Sequence, residues 1–150
     1  MKNKTIKRVI KRRKNHDIFS KKKRSQIMAA VKGKNTLLEK RVFSFLKRRR
    51  MKFKTHYLDV IGKPDIVIPD KKKAIFIDSD FWHGWQYPKW RHKLTSDFWV
   101  EKIDVNRKRD IKVNRSLRMK GWKILRIWEH QIEKDFDGSM KNIIRFLLKR

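Results

Sequence analysis

The spacing of apolar residues predicts one amphipathic helix in the first third of the chain and a long helix in its second half. The apolar stripe of the first helix recurs at steps of three and four residues and comprises Leu38, Val42, Phe45 and Leu46. Thr36 and Glu39 fit a capping box at its start, which gives Glu39 a purely structural explanation. A shorter helical or turn segment precedes it, beginning at Arg24 and ending near Gly33.

Runs rich in β-branched and aromatic residues predict four strands. They span residues 52–59, 65–68, 74–77 and 122–128. The long helix spans 97–120 after a cap at Thr95 or Ser96, and a last helix begins between Asp137 and Ser139. This order of elements predicts an α/β fold in which helices flank a mixed β-sheet.

The long helix carries two polar residues, Asn106 and Asp110, within an otherwise apolar stripe. A buried carboxylate is costly unless it is paired or meets a metal ion. We therefore expect Asp110 either to pair with a nearby arginine or to face an active centre. The opposite face of the helix is basic and suits phosphate groups, so that Lys102 and Arg107 are candidate phosphate contacts. Arg24, at the start of the first short segment, is a further candidate.

The charge of the chain indicates a polyanionic partner. Its 150 residues include 44 Lys and Arg against 15 Asp and Glu, a formal net charge of +29. Such a surplus is typical of nucleic-acid binding, although a basic protein could also coat an anionic membrane or simply be soluble. Residues 1–23 hold eleven basic residues and one acid, which predicts a flexible basic arm before a single domain over 24–150. A tail without a specific role is the alternative.

The sequence excludes several other classes of protein. It has no cysteine, and so neither a disulfide nor a thiolate zinc site can form. No stretch approaches the ~20 apolar residues of a bilayer span, and no apolar segment near the N-terminus indicates a secretory signal. We expect a cytoplasmic, nucleoid-associated protein without a membrane partner.

Two carboxylates stand at the ends of neighbouring predicted strands, Asp65 at the start of one and Asp78 at the end of the next. Acids that meet at one sheet edge can hold Mg²⁺, which neutralises charge on a scissile phosphate. His83 lies five residues beyond Asp78 and could transfer protons near neutral pH. The plainer alternatives are turn chemistry for Asp65 after Pro64 and a surface or packed role for His83.

Three aromatic residues, Phe81, Trp82 and Trp99, lie near the candidate site and the start of the basic helix. They could fill the core, as most aromatic residues do. Beside phosphate-binding charge they could instead wedge between base pairs, and partial unstacking costs least at a mismatch.

Five ordered blocks of the chain resemble the very short patch repair endonucleases, the enzymes that nick one strand of DNA at T:G mismatches. The resemblance covers most of residues 24–130. The blocks are RSQIMAAVKGKNTLLEKRV (24–42), GKPDIVIPD (62–70), AIFIDSDFWHGW (74–85), SDFWVEKIDVNRKRD (96–110) and GWKILRIWE (121–129). The resemblance implies a restriction-endonuclease-like α/β fold, double-stranded DNA as substrate, Mg²⁺ as cofactor and other mismatch-repair proteins as partners.

The resemblance also implies roles for individual residues. Asp65 matches the aspartate that binds Mg²⁺, the backbone carbonyl of Ile77 is placed near the metal, and His83 matches a catalytic histidine. Glu39 and Asp110 match acids around the same centre. The residues that insert into DNA beside the mismatch match Phe81, Trp82 and Trp99 from one groove and Met28 from the other.

The chain departs from the family at two places. Asp78 occupies a position where the family usually has a histidine, which could strengthen metal binding but removes a proton-transfer group. The family also has a structural zinc bound by cysteines and histidine, and the corresponding positions here are Asp80, Trp85, Tyr87 and His130. We therefore expect no zinc, with packing by Trp85 and Tyr87 in its place.

The sequence thus predicts a Mg²⁺-dependent endonuclease that nicks duplex DNA at a T:G mismatch. In this hypothesis Asp65 and Asp78 hold metal, and His83 transfers protons. Glu39 and Asp110 orient water or a second ion. Two alternatives stay open: a related homing or mobile-element-associated endonuclease with another target, and a basic nucleic-acid-binding protein without catalysis.

Overall fold

The computed structural model describes residues 19–31, 33–94 and 96–149. Most of the predicted basic arm, residues 1–18, lies outside these ranges. The helices are α1 (Lys21–Ala30), α2 (Leu37–Arg48), α3 (Tyr87–Trp90), α4 (Asp97–Met119), α5 (Glu129–Lys134) and α6 (Phe136–Leu148). The strands are β1 (Lys54–Thr55), β2 (Ile66–Ile68), β3 (Lys73–Asp78) and β4 (Lys123–Trp128). Within the described ranges, no helix combines the length and apolar character that a bilayer span requires.

The four strands form one mixed sheet in the order β1-β2-β3-β4. β1 pairs antiparallel with β2 and β2 with β3, whereas β3 and β4 are parallel. A parallel pair needs a long crossover, which here runs through the 23-residue helix α4. The prediction of an α/β fold with a mixed sheet flanked by helices is confirmed.

Alternation along the strands sends apolar side chains to both faces of the sheet. Ile66 and Ile127 belong to a buried cluster that they share with α2, α5 and α6. Val67 and Phe76 belong to a second cluster, in which they pack with Val113 of α4. Because Ile66 and Val67 are neighbours on one strand, their side chains point to opposite faces, and helices cover the sheet on both sides.

The structure differs from the prediction in three elements. The strand predicted over 52–59 is wrong beyond Lys54–Thr55, because His56 adopts a positive φ of 47° directly after it. The loop predicted around Pro88 contains the short helix α3, and α5 follows β4 directly where the sequence predicts no helix. Helices of four and six residues are too short to show a periodic apolar stripe.

Gly62 lies four residues before the start of β2. No side chain fits at this position. Its φ is +84°, and an added Cβ would lie 2.4 Å from Cγ1 of Val113. We expect Gly62→Ala to lower the free energy of unfolding by about 1–3 kcal/mol, measured by urea denaturation. Gly33→Ala is the matched control, because a Cβ there would meet nothing within 4 Å. Equal effects of the two substitutions would contradict this explanation.

Candidate active site

A cavity of about 1010 Å³ opens where α2, α4 and the ends of β2 and β3 meet. Asp65 directly precedes β2, and Asp78 is the last residue of β3, which pairs antiparallel with β2. The start of one strand therefore lies beside the end of the next, and the predicted acids meet at one edge of the sheet. The predicted catalytic and metal-binding residues that line the cavity are Glu39, Asp65, Ile77, Asp78 and His83.

Asp65 is fixed by backbone hydrogen bonds and repelled by neighbouring acids. The N–H of Ile77 donates to its Oδ2 at 2.7 Å, and its own N–H donates to the carbonyl of Ile75 at 3.0 Å. Burial raises the pKa of Asp65 from 3.8 to about 7; the Ile77 N–H opposes this shift, and the charges of Glu39 and Asp78 add to it. A carboxylate in such surroundings is stabilised by a nearby cation.

Glu39, His56 and Asp65 form a group that could hold a metal ion. One ligand atom from each lies within 4.8 Å of the other two. Nε2 of His56 is 3.4 Å from Oε2 of Glu39, and Nδ1 of His56 is 3.8 Å from Oδ1 of Asp65. Two carboxylates and an imidazole suit a divalent cation. The described ranges contain no second group of three such side chains close enough for one ion.

Glu39 lies at the cap of α2 and also at the cavity, and its role in the chemistry stays a prediction. Oγ1 of Thr36 accepts a hydrogen bond from the N–H of Glu39 at 3.2 Å, as a helix cap requires. Oε2 of Glu39 accepts from the N–H of Asn35 at 2.6 Å, one residue before the partner expected in a capping box. Because Glu39 also lines the cavity, the first turn of α2 lies at the candidate site.

Sequence analysis missed His56. The register of the β1–β2 pair sets Thr55 opposite Ile66, and the next residue, His56, donates its N–H to the carbonyl of Asp65 at 3.3 Å. The imidazole thereby lies beside the carboxylate of Asp65. A histidine placed nine residues before the acid was the only signal, and it becomes informative once the hairpin register is known.

Asp78, His83, Asp110 and Arg126 form a second linked set. Nδ1 of His83 lies 2.6 Å from Oδ2 of Asp110 and 3.7 Å from Oδ1 of Asp78. Arg126, which sequence analysis also missed, places Nε 3.3 Å from Oδ2 of Asp78 and Nη2 3.3 Å from Oδ1 of Asp110. Asp110 therefore both pairs with an arginine and contacts a residue of the cavity.

Burial and charge act in opposite directions on the two acids of this set. Burial raises the pKa of Asp78, although His83 and Arg126 oppose the shift. Burial also acts to raise the pKa of Asp110, but the hydrogen bond from His83 and the charges of His83 and Arg126 outweigh it and lower that pKa. Asp110 is therefore an ionised acceptor, the His83 proton lies on Nδ1, and Nε2 is left for proton transfer.

The three predicted aromatic contacts form one cluster at the cavity. Trp82 lines the cavity, and its ring centroid lies 4.8 Å from that of Phe81 and 5.7 Å from that of Trp99. Trp90, which sequence analysis did not include, stacks on Phe81 at 5.8 Å. Phe81 is 39% exposed and the other three rings are half-buried, so none of the four belongs to the buried core.

The other candidate DNA contacts divide between the cavity and the surface around it. Those that line the cavity are Met28 and Lys102. The guanidinium of Arg24 lies 5.0 Å from the ring centre of Phe98, which in turn packs against Trp99. The guanidinium of Arg107 instead lies 5.2 Å from the ring centre of Tyr87.

The positions that correspond to the zinc site of the resemblance pair with one another or pack. Nδ1 of His130 lies 2.6 Å from Oδ1 of Asp80, and the ring of Trp85 lies 4.8 Å from that of His130. Tyr87 is buried, and its hydroxyl donates to the carbonyl of Val100 at 3.2 Å. These contacts connect the segment after β3 to α5 through His130 and to α4 through Val100, and the absence of zinc stays a prediction.

A helix-flanked mixed sheet with carboxylates gathered at one edge defines the class of restriction-endonuclease-like nucleases. The family model described as DNA mismatch endonuclease Vsr matches residues 16–89. The type II nicking enzyme V.XorIIP of Xanthomonas oryzae pv. oryzae is 33% identical over 135 residues, which cover 85% of this chain and 96% of that protein.

Two further relatives support the same assignment. The type II nicking enzyme V.HpaIIP of Haemophilus parainfluenzae is 35% identical, with 81% of this chain and 88% of that protein covered. The DNA mismatch endonuclease Vsr of Escherichia coli is 32% identical, with 75% and 73% covered. The chain belongs to the Vsr family of DNA mismatch endonucleases, as the sequence predicts, and is a DNA endonuclease, a hydrolase.

Proposed function

We propose that this endonuclease nicks one strand of double-stranded DNA at a T:G mismatch and depends on Mg²⁺. The observation that carries the proposal is the meeting of Asp65, Asp78 and His83 at one cavity of a strongly basic chain. The nicking enzymes among the relatives support strand nicking, and the name of the Escherichia coli relative supports mismatch recognition. Family membership argues against the alternative of a basic protein without catalysis.

Asp65 and the backbone carbonyl of Ile77 would hold the ion. The N–H of Ile77 faces Asp65, and the N–H and C=O of one strand residue point to the same side, which supports the carbonyl as a ligand. Asp78 adds negative charge beside them, and its two oxygens already face His83 and Arg126. When bound, Mg²⁺ supplies positive charge at the scissile phosphate and lowers the pKa of a neighbouring water.

His83 would transfer the proton of the reaction through Nε2. The Asp110 carboxylate accepts the hydrogen bond from Nδ1–H at 2.6 Å, which fixes the orientation of the ring and leaves Nε2 free of this contact. Arg126 contacts both Asp78 and Asp110 and keeps these two acids in place. Glu39 lies in the first turn of α2, and its carboxylate at the cavity can orient water.

The aromatic cluster of Phe81, Trp82, Trp90 and Trp99 would recognise the mismatch. Trp82 lines the cavity and the other rings pack around it, so that the cluster can enter a DNA helix and unstack one base step. Unstacking costs less at a T:G pair than at a matched pair, which gives a physical basis for selectivity. Basic side chains around the cavity, such as Lys102, would bind the flanking phosphates.

The decisive test is a nicking assay on a panel of duplexes that differ at a single base pair. We expect T:G duplex to be nicked at least about tenfold faster than matched duplex, equivalent to ~1.4 kcal/mol of activation free energy. EDTA should stop the reaction and Mg²⁺ should restore it. Equal rates on all duplexes would instead favour the homing or mobile-element alternative.

A further inference from the structure

The imidazole of His56 is oriented toward Asp65 by its own hydrogen bond. Its Nε2 lies 3.2 Å from Oδ1 of Asn35, a side-chain oxygen that accepts a hydrogen bond, and 3.4 Å from Oε2 of Glu39. Both neighbours are acceptors, so the ring proton belongs on Nε2. The lone pair of Nδ1 then faces Asp65.

The separation between His56 and Asp65 is suited to a bridging cation. Nδ1 and Oδ1 are 3.8 Å apart, which is too long for a hydrogen bond. The distance is shorter than two metal–ligand bonds in line, about 4.2 Å, so one ion can contact both atoms. The His56 ring packs against that of Phe43 in a T-shaped arrangement, with 5.7 Å between the ring centres, which limits rotation of the imidazole.

We propose that His56 is a nitrogen ligand of the divalent cation held by Asp65, and that the site consequently binds Mn²⁺ more tightly than Mg²⁺. The inference rests on the proposed function only in placing a cation at Asp65. Imidazole nitrogen is a poor ligand for Mg²⁺ and a better one for first-row transition metals, whereas carboxylates serve both. The hydrogen bond from Nε2–H to Asn35 is the support that a histidine ligand usually has.

The test is metal binding by the full chain with Mn²⁺ alone. Pulsed electron paramagnetic resonance of bound Mn²⁺ should show coupling to a ¹⁴N nucleus of imidazole. This coupling should disappear in His56→Gln. It should persist in His83→Gln, which replaces a histidine that lines the cavity, and in His92→Gln, which replaces an exposed histidine. His56→Gln should weaken Mn²⁺ binding about 10- to 100-fold and Mg²⁺ binding much less.

The outcomes separate this inference from the proposed function. If Asp65→Asn abolishes Mn²⁺ binding while His56→Gln changes neither affinity nor ¹⁴N coupling, the metal site stands and the role of His56 is wrong. Coupling that is lost in His83→Gln instead also overturns it. If the unmodified protein binds neither ion, both this inference and the metal dependence of the proposed function are wrong. Circular dichroism of each variant checks that the fold is retained.

Discussion

Replacement of Asp65 by asparagine is expected to abolish DNA cleavage while leaving the metal-free fold more stable. Asparagine keeps the shape of the side chain and an oxygen that can accept the Ile77 N–H, so the backbone geometry is preserved. It removes the negative charge that would hold the cation. Because metal-ion catalysis contributes several kcal/mol of transition-state stabilisation, we expect nicking to fall by about 10³-fold or more.

The gain in stability follows from the pKa of Asp65. Burial raises this pKa from 3.8 to about 7, so between these values the folded state binds a proton that the unfolded state has released. The free energy of unfolding therefore falls as pH rises through this window and levels off above it. Asparagine has no charge to bury. We therefore expect the free energy of unfolding of Asp65→Asn to exceed that of the unmodified protein by about 1–3 kcal/mol at pH 8.

Urea denaturation in EDTA at several pH values measures this difference, which should shrink toward zero near pH 4. Added Mg²⁺ should stabilise the unmodified protein and not the variant, because only the native site binds the ion. Asp59→Asn is the matched control, since Asp59 is exposed on the loop between β1 and β2. Retention of Mg²⁺-dependent nicking by Asp65→Asn would rule out Asp65 as the metal-binding acid.

Much of this site is predictable because strand ends share one edge of the sheet. Asp65 precedes one apolar run, and Asp78 ends the next one. An antiparallel pairing of the two strands sets the start of the first beside the end of the second. Asp110 is visible because a carboxylate interrupts the apolar stripe of a long helix, where burial requires a partner. In each case a local pattern determines where the side chain lies.

His56 and Arg126 are not predictable in this way, because tertiary register decides their neighbours. His56 meets Asp65 only through the pairing that sets Thr55 opposite Ile66. Arg126 lies on β4, whose parallel register with β3 sets Asp78 opposite Trp128. Arg126 is two residues before Trp128, and so only this register brings it near Asp78. Neither register follows from the pattern of apolar residues. In addition, one basic residue in a strongly basic protein gives no indication of a functional role.

The short elements of the fold escape prediction for a related reason. α5 is six residues long, and the residue at its N-cap is Trp128 instead of the usual Ser, Thr or Asp. α3 has four residues and starts after Gln86, which has a positive φ of 50°. Such elements are stabilised by what they pack against, whereas α4 and β2 to β4 follow from periodicity and β-branched runs in the sequence.

His83→Gln is expected to lower the rate of nicking by about 10²- to 10⁴-fold, the range for loss of a general acid or base. Glutamine can still donate a hydrogen bond to Asp110, but it cannot accept or release a proton. Binding of mismatched duplex should be nearly unchanged, since the aromatic cluster and the basic surface are intact. Single-turnover nicking and a gel-shift assay with the same duplex separate these two effects.

The role assigned to Asp110 adds a sharper requirement to this prediction. If Asp110 acts by orienting His83 through their 2.6 Å contact, Asp110→Asn lowers the rate only while His83 is present. The double variant with His83→Gln and Asp110→Asn should then nick no more slowly than His83→Gln alone, because residues that act as a unit are not additive. If the effects of the two substitutions on the nicking rate multiply instead, Asp110 contributes independently of His83, through Arg126 or the metal site.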